Sequence, residues 1–421
     1  MESMDQLPGA VHDEVRGKVR LGRLSRLIAV FGPGLVVMLA DTDVGSVITA
    51  GQSGVQWGYR LLGLQFLLVP VLFMIQELTV RLGIFTGRGH GELIRETFGP
   101  FWAWVSAGGL AMATAGALLT EFSGVAGVGE MYGIPRGVSL TLAVVGLLAV
   151  VLTGSYRRVE RTAIMIGLFE FAFFLVAWEA HPNPGAILRG ALDVPWHDRD
   201  YQYLAAANIG AVIMPWMIFY QQSAIADKGL GPEHYAAAKW DTAVGALITQ
   251  LVMAAVLIAC AATLGAHGAA PSLTTVGGMS ESLTPFLGGV AGQLVFSVGV
   301  LGAGLVAAIV ASLALAWGIG EVAGYRRSLE YRPLQAGWFY GIYGVCVVAG
   351  AVLVGLWPNL VSLNVGVQVM NALLLPLVLG FLVALAVRAL PAPYRLRGWY
   401  LWVVVAVSTA TSALGVFGGL F

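Results

Sequence analysis

Two carboxylates lie inside the first apolar stretch of the chain. Asp41 and Asp43 interrupt a run that is otherwise apolar, and Gly45 and Ser46 follow them directly. A carboxylate at the centre of a membrane-spanning helix costs about 2.5 to 3.5 kcal/mol on insertion scales. Two carboxylates this close therefore need compensation, which a bound cation would supply. The alternative for each is a structural role, in which the carboxylate accepts hydrogen bonds from a neighbouring helix.

A second apolar stretch is interrupted by proline. Residues 209–216 read IGAVIMPW, with Met214 immediately before Pro215. Proline removes one backbone hydrogen bond and frees a carbonyl, and in a membrane such a carbonyl persists only where it faces protein, water or an ion. Interruptions at corresponding places in two halves of a chain indicate a substrate site at mid-depth in the membrane.

The composition requires a bilayer as solvent. Of the 421 residues, 58% are hydrophobic and only 11% are charged, and the mean hydropathy is +0.81. Soluble chains carry roughly 25% charged residues. The formal net charge of zero gives no bulk attraction to nucleic acid. An enzyme would need a nucleophile with a base, or a cluster of histidines, and the apolar stretches contain neither arrangement.

Eleven stretches are predicted to span the membrane, since each has about 20 mostly apolar residues. Several are longer than about 25 residues, which indicates tilted or broken helices. The predicted spans are 27–56, 61–84, 101–129, 136–154, 162–180, 201–224, 240–266, 285–320, 336–356, 361–387 and 399–419.

The basic residues predict the orientation of these spans. Counting alternate connections places nineteen of the 23 Lys and Arg residues on the side of the N-terminus. Cytoplasmic segments carry the excess of Lys and Arg. We therefore expect a multi-pass protein of the plasma (bacterial inner) membrane, with its N-terminus in the cytoplasm and its C-terminus outside.

The longest polar stretch, from about His181 to Asp200, divides the first ten spans into two groups of five and leaves the eleventh as an addition. Because five is odd, the second group must cross the membrane upside down relative to the first, which is the architecture of inverted-repeat transporters. The predicted order is a cytoplasmic segment 1–26, a first repeat 27–180, an extracellular loop 181–200, a second repeat 201–387, and span eleven with the C-terminus in 388–421.

Five short motifs, in this order along the chain, resemble the NRAMP family of divalent metal transporters. They are Gly32 to Gly34 (GPG), Asp43 to Ser46 (DVGS, similar to the family's Asp-Pro-Gly-Asn), Gln76 to Gly87 (QELTVRLGIFTG), Gly154 to Glu160 (GSYRRVE) and Gly210 to Pro215 (GAVIMP). The resemblance implies an all-α polytopic fold of the LeuT type, a five-plus-five inverted repeat with broken helices 1 and 6 and an extra span.

The resemblance also implies a metal site. It makes Asp43 the principal carboxylate, with Ala211 contributing a backbone carbonyl and Met214 a thioether. Gln368 matches a family glutamine that approaches the ion in occluded states. Ser46 stands where the family has asparagine and offers a shorter oxygen ligand. Asp41 would add a second carboxylate to the same site.

Other positions concern proton coupling. Glu121 matches an acidic residue of the family's proton route, and its alternative role is that of a structural partner for a buried Arg or backbone amide. Trp216 stands where proton-coupled members have histidine, and Leu118 stands where a second acidic residue is expected. No histidine lies inside a predicted span. Glu121 and Trp216 therefore mark a pathway or a vestigial proton route.

These departures resemble the magnesium-transporting branch related to NRAMP, because Mg²⁺ prefers oxygen ligands and a roomy site. Met214 argues for softer ions. We expect Mg²⁺ to be favoured with Mn²⁺ also carried and no proton coupling. A potential of 100 mV supplies about 2.3 kcal/mol per charge, which is enough to drive a dication. No cofactor and no obligate protein partner are expected. The first alternative is a proton-coupled Mn²⁺/Fe²⁺ transporter, and the second is a sodium-coupled symporter of organic solutes.

Overall fold

The computed structural model describes residues 32–263, 289–357 and 364–420, and these ranges form helices joined by short connections. Three short 3₁₀ turns, Leu168–Phe171, Pro232–His234 and Ala392–Tyr394, join or flank them. In chain order the helices are α1 (Pro33–Asp41), α2 (Val44–Trp57), α3 (Leu62–Thr86), α4 (His90–Phe98), α5 (Pro100–Met131), α6 (Arg136–Val151), α7 (Tyr156–Gly167), α8 (Ala172–Glu179), α9 (Pro184–Leu192), α10 (Arg199–Val212), α11 (Pro215–Lys228), α12 (Tyr235–Thr263), α13 (Val290–Ala323), α14 (Gly337–Leu356), α15 (Asn364–Arg388) and α16 (Gly398–Leu420).

Nine helical segments of the described ranges are long and apolar enough to cross a membrane, and the bent pair α1 and α2 makes a tenth. Each of the eleven predicted spans coincides with helix. The fourth, α6, is apolar but has only 16 residues, which is about 24 Å of helix against a hydrocarbon core of about 30 Å. The predicted stretches 1–26, 27–31, 264–266, 285–288 and 361–363 lie outside the described residues.

Both predicted interruptions are present. The first span bends by 47° between α1 and α2, and Asp43 between them is extended, with ψ of 169°. The sixth span is interrupted between α10 and α11, where Met214 is extended with ψ of 142°. Pro215 then begins α11, a position at which its missing N–H leaves no bond unmade.

A short 3₁₀ turn within the fifth span was not predicted from the sequence. The turn Leu168–Phe171 replaces α-helix between α7 and α8, and Glu170 within it is buried. The turn itself contains neither glycine nor proline, although Gly167 directly precedes it. The turn packs against α13.

The broken spans lie inside a frame of unbroken helices. α13 packs along α5, while α12 packs along both α1 and α2, and α10 packs against α15. Every residue of α1 and α2 is buried or partly buried except Gln56, which is exposed. The two interruptions therefore lie inside the protein, where unpaired backbone groups must find partners other than lipid.

The beginning of α1 is fastened to α12. The carboxylate of Asp241 accepts hydrogen bonds from the backbone N–H groups of Gly32, Gly34 and Leu35 at 2.9 to 3.3 Å. These are the free N–H groups of the first helical turn, which carry the positive end of the helix dipole. One buried carboxylate of α12 thereby caps the start of α1.

The connection between the two groups of spans is not all loop. The predicted loop 181–200 contains the helix α9, whose first turn is capped by the side chain of Asn183 through Gly185 N and Ala186 N. This corrects the sequence interpretation of residues 184–192. The division of the chain into two inverted repeats remains a prediction.

Candidate metal-binding site

Asp43 forms the centre of the candidate site. It is fully buried and caps α2, accepting a hydrogen bond at Oδ1 from the backbone N of Ser46 at 2.6 Å. Gln368 Nε2 also donates to Oδ1, at 3.3 Å. The other oxygen, Oδ2, is buried and has no hydrogen-bond partner among the described residues. Asp43 thus uses one oxygen for structure, while its carboxyl group lies within hydrogen-bonding distance of the carboxyl group of Glu121.

The side chain of Ser46 joins the two interruptions. Its hydroxyl donates to the carbonyl oxygen of Ala211 at 3.0 Å. In a continuous helix that carbonyl would accept from the residue four positions on, which is Pro215 and has no N–H. The proline therefore frees this particular carbonyl, and the serine of the other broken span occupies it.

Gln368 on α15 completes the group. Its amide nitrogen reaches Asp43, and its Oε1 accepts from Asn371 Nδ2 at 3.0 Å. Two glycines permit this approach, since a Cβ at Gly45 would overlap the Gln368 amide and one at Gly210 would overlap the Gln368 carbonyl oxygen. The two broken spans and α15 are thus in close contact at one level of the bundle.

Glu121 lies beside this group on α5. Its Oε2 accepts from the backbone N of Val44 at 3.1 Å, and its Oε1 accepts from Thr120 Oγ1 at 2.9 Å. Val44 is the first residue of α2, so Glu121 supplies the partner that its free N–H requires. The structural role foreseen for Glu121, as partner of a backbone amide, is therefore part of its geometry.

Three predicted residues stand outside this network. Met214 occupies the interruption three residues after Ala211, is fully buried, and packs within the hydrophobic core. Trp216 is fully buried with no partner for its Nε1 among the described residues. Asp41 forms no hydrogen bond with the residues around Asp43, and both its oxygens are unpartnered there.

The site has negative charge without a protein cation to offset it. Within the described ranges, the ion pairs of the protein involve neither Asp43 nor Glu121. No cluster of three or more His, Cys, Asp or Glu side chains occurs in these ranges either. An ion here would be held by one or two carboxylates together with hydroxyl, amide and main-chain oxygen.

Asn371 and Thr120 are the members of this network that motif matching did not identify as site residues. Asn371 lies one helical turn after Gln368, and Thr120 precedes Glu121. Both hold a site side chain in place through a hydrogen bond. The spacing of three between Gln368 and Asn371 on a helix is a signal that could have indicated the second residue.

The comparison with protein families identifies the family of this protein. The family model described as natural resistance-associated macrophage protein-like matches residues 34–419. The chain belongs to the NRAMP family. As a member of this family of divalent metal transporters, it is a multi-pass membrane transporter and not an enzyme.

Relatives in this family have similar sequences over most of the chain. The divalent metal cation transporter MntH of Yersinia pestis (strain Pestoides F) is 31% identical over 318 residues, which are 73% of this chain and 75% of that protein. MntH of Brucella suis biovar 1 (strain 1330) is 27% identical over 319 residues, or 72% and 69% of the two chains.

Solved structures confirm the predicted LeuT-type fold of this NRAMP protein. The manganese transporter of Eremococcus coleocola has a TM-score of 0.74 at 18% identity, covering 95% of this chain and 88% of its own. MhsT, solved in complex with L-phenylalanine, has a TM-score of 0.56 at 14% identity and covers 95% and 99% of the two chains. At these identities the similarity establishes the fold alone.

His90, the first residue of the short helix α4, is a fully buried histidine. Its Nδ1 contacts Gln222 Oε1 at 2.9 Å and its ring meets Phe219 edge-on. Burial lowers its pKa to about 4, against the opposing effect of the Gln222 hydrogen bond. The imidazole is therefore neutral near pH 7.

We expect acid to destabilise the wild-type protein relative to His90→Gln. The pKa of His90 is lowered in the folded state, so between about pH 6.5 and 4 the unfolded state binds a proton at His90 that the folded state does not. The free energy of unfolding therefore decreases as the pH is lowered through that range. Between pH 7.5 and 5 the wild type should lose about 2 kcal/mol of unfolding free energy more than the variant. Reversible unfolding in mixed micelles measures both.

The control is His197→Gln, which replaces an exposed histidine. Its curve should run parallel to that of the wild type. A His90→Gln curve that also runs parallel would show that His90 titrates normally.

Proposed function

We propose that this protein carries divalent metal cations across the membrane and that the ion binds between the interruptions of the first and sixth spans. The observation that carries the proposal is Asp43, a fully buried carboxylate whose Oδ2 accepts no hydrogen bond from an N–H or hydroxyl group of the described residues, and which no described Lys, Arg or His neutralises. A doubly charged ion supplies the missing charge compensation.

The proposed ligands come from three spans. Asp43 Oδ2 is free to bind, and the Ala211 carbonyl now accepts only the hydroxyl of Ser46. If the Ser46 side chain rotates so that this hydrogen bond breaks, the hydroxyl oxygen and the Ala211 carbonyl oxygen both become available to the ion. Met214 adds a sulfur from the interruption itself, and Gln368 approaches from α15. The match with NRAMP motifs supports this set.

We propose Mn²⁺ as the principal substrate, with Fe²⁺ as a related one. Met214 supports this choice, because thioether sulfur favours transition metals over Mg²⁺ and Ca²⁺. The names of the relatives, a divalent metal cation transporter and a manganese transporter, agree with it. Neither name mentions magnesium, so the Mg²⁺ preference expected from the sequence gains no support from the comparisons.

We further propose that transport is coupled to protons through Glu121, against our sequence expectation of uncoupled uptake. Glu121 contacts the amide of Val44, the residue after Asp43, so its carboxyl lies beside the metal-binding carboxylate. A dication bound at Asp43 repels a proton on a neighbouring carboxyl. Metal binding at Asp43 thereby promotes release of the Glu121 proton, which leaves toward the side to which the metal is delivered.

We propose the bacterial inner membrane as the location, with the N-terminus in the cytoplasm and the C-terminus outside. The similarity to MntH proteins and the excess of Lys and Arg on one side of the spans support this arrangement.

Replacing Asp43 should abolish transport. In proteoliposomes, Asp43→Asn should lower Mn²⁺ uptake at least about a hundredfold, equal to losing roughly 3 kcal/mol of interaction with a buried charge. Asparagine still caps a helix well, so α2 should remain intact. The matched control is Asp198→Asn, which replaces the exposed capping aspartate of α10. Full uptake by Asp43→Asn would contradict the proposed site.

The role of Met214 can be tested by selectivity. Met214→Ala should reduce Mn²⁺ uptake relative to Mg²⁺ uptake by at least about tenfold, because the soft ligand is lost. Met217→Ala is the control, since Met217 is equally buried one turn further along α11. Wild-type protein that carries Mg²⁺ in preference to Mn²⁺ would instead support the sequence expectation.

Proton coupling can be measured with a pH dye inside the proteoliposomes. Mn²⁺ uptake by the wild type should acidify the lumen. Glu121→Gln should bind Mn²⁺ but give no acidification, because the glutamine side chain has no titratable proton. Glu130→Gln, at the exposed end of the same helix, should behave as the wild type. Mn²⁺ uptake by the wild type without a proton signal would show that transport is uncoupled.

A further inference from the structure

Two buried carboxamides on α15 form a short chain of hydrogen bonds that ends at Asp43. Gln368 and Asn371 lie three residues apart on this helix, and both are fully buried. Gln368 Nε2 donates to Asp43 Oδ1 at 3.3 Å, and Asn371 Nδ2 donates to Gln368 Oε1 at 3.0 Å. Both bonds therefore run in the same direction, from Asn371 through Gln368 to the carboxylate.

This direction turns the nitrogen of the Gln368 amide toward the place of a metal ion. An ionised carboxylate only accepts hydrogen bonds, so the amide nitrogen of Gln368 faces Asp43 and the amide oxygen faces Asn371. An amide binds a metal ion through its oxygen, because its N–H groups are donors with partial positive charge. Gln368 can therefore act as an ion ligand only after its amide turns over.

The surroundings of Gln368 leave space for this movement. Rotation about the last side-chain bond of glutamine exchanges the amide nitrogen and oxygen, and the energy profile of this rotation is broad. Gly45 of α2 faces the amide, and a Cβ at that position would overlap Gln368 Nε2. Glycine at position 45 thus leaves free the space in which the amide turns.

Asn371 has the acceptor that the turned amide requires. If Gln368 alone turned over, its nitrogen would face the nitrogen of Asn371, and neither could accept. Asn371 Oδ1 is buried and has no hydrogen-bond partner among the described residues. Buried acceptors without a partner are rare in native proteins, and each calls for an explanation. When Asn371 turns over as well, this oxygen accepts from Gln368 Nε2.

We propose that Asn371 is a positioning residue that holds the Gln368 amide in either of two orientations. The inference rests on the proposed binding of a divalent metal ion at Asp43. Without the ion, Asn371 donates to Gln368, and Gln368 donates to the Asp43 carboxylate. With the ion bound, both amides are turned over, Gln368 Oε1 binds the ion, and Asn371 Oδ1 accepts from Gln368 Nε2. The hydrogen bond between the two amides is kept in both states.

Two substitutions of Asn371 should change the affinity for Mn²⁺ in opposite directions. Asn371→Asp accepts but does not donate, so it should hold the Gln368 oxygen toward the ion and lower the Mn²⁺ dissociation constant at least about threefold. Asn371→Leu keeps the approximate shape but cannot accept, so it should raise that constant about tenfold. Binding of ⁵⁴Mn²⁺ to the full-length protein in lipid nanodiscs measures both. If Asn371 only fills space, both variants lose affinity.

A double-mutant cycle separates the orientation of the amide from the charge that Asn371→Asp adds. In the Gln368→Ala background, either substitution of Asn371 should change the dissociation constant less than about twofold, because no amide remains to be oriented. The proposal is overturned if Asn371→Asp leaves the affinity unchanged or lowers it, or if its gain persists in the Gln368→Ala background. The Asn371→Asp cycle decides the question even where Asn371→Leu folds poorly.

Failure of this proposal is distinguishable from failure of the proposed transport site. Mn²⁺ binding that is unchanged in Asp43→Asn would contradict the site itself. Mn²⁺ binding that is lost in Asp43→Asn, together with additive effects of the substitutions at Gln368 and Asn371, would contradict only the role of Asn371.

Discussion

Two membrane spans are interrupted inside this protein, at a depth where neither water nor lipid can form hydrogen bonds with the freed backbone N–H and C=O groups. The rest of the site follows from that constraint. Asp43 caps the start of α2, Glu121 accepts the N–H of Val44, and Ser46 occupies the carbonyl that proline has freed. The side chains proposed to bind metal are thus the same ones that satisfy the backbone groups at the interruptions.

Two aspartates separated by a single residue have opposite surroundings because they end different helices. Asp43 meets free N–H groups at the beginning of α2, while Asp41 meets carbonyls at the end of α1. One carboxylate is therefore hydrogen-bonded and the other is bare. The same local sequence thereby places two carboxylates in opposite electrostatic surroundings.

The magnesium interpretation shows the limit of reading residue types without positions. Asp41 seemed in sequence to enrich the site at Asp43 in carboxylate, yet in the structure it shares no hydrogen bond with the described residues around Asp43. The argument for a roomier and harder site loses that support. Met214, by contrast, lies within the interruption as predicted.

The sequence by itself determined the spans, the two interruptions and the residues at them, because hydropathy, proline and isolated carboxylates act locally and a bilayer leaves few alternatives. Tertiary structure alone decided which of these groups meet. Gln368 reaches Asp43 across 325 positions of sequence, and Glu121 reaches the backbone N–H of Val44 across 77. Such contacts depend on how whole helices pack, and the packing is set by many small residues together rather than by any single motif.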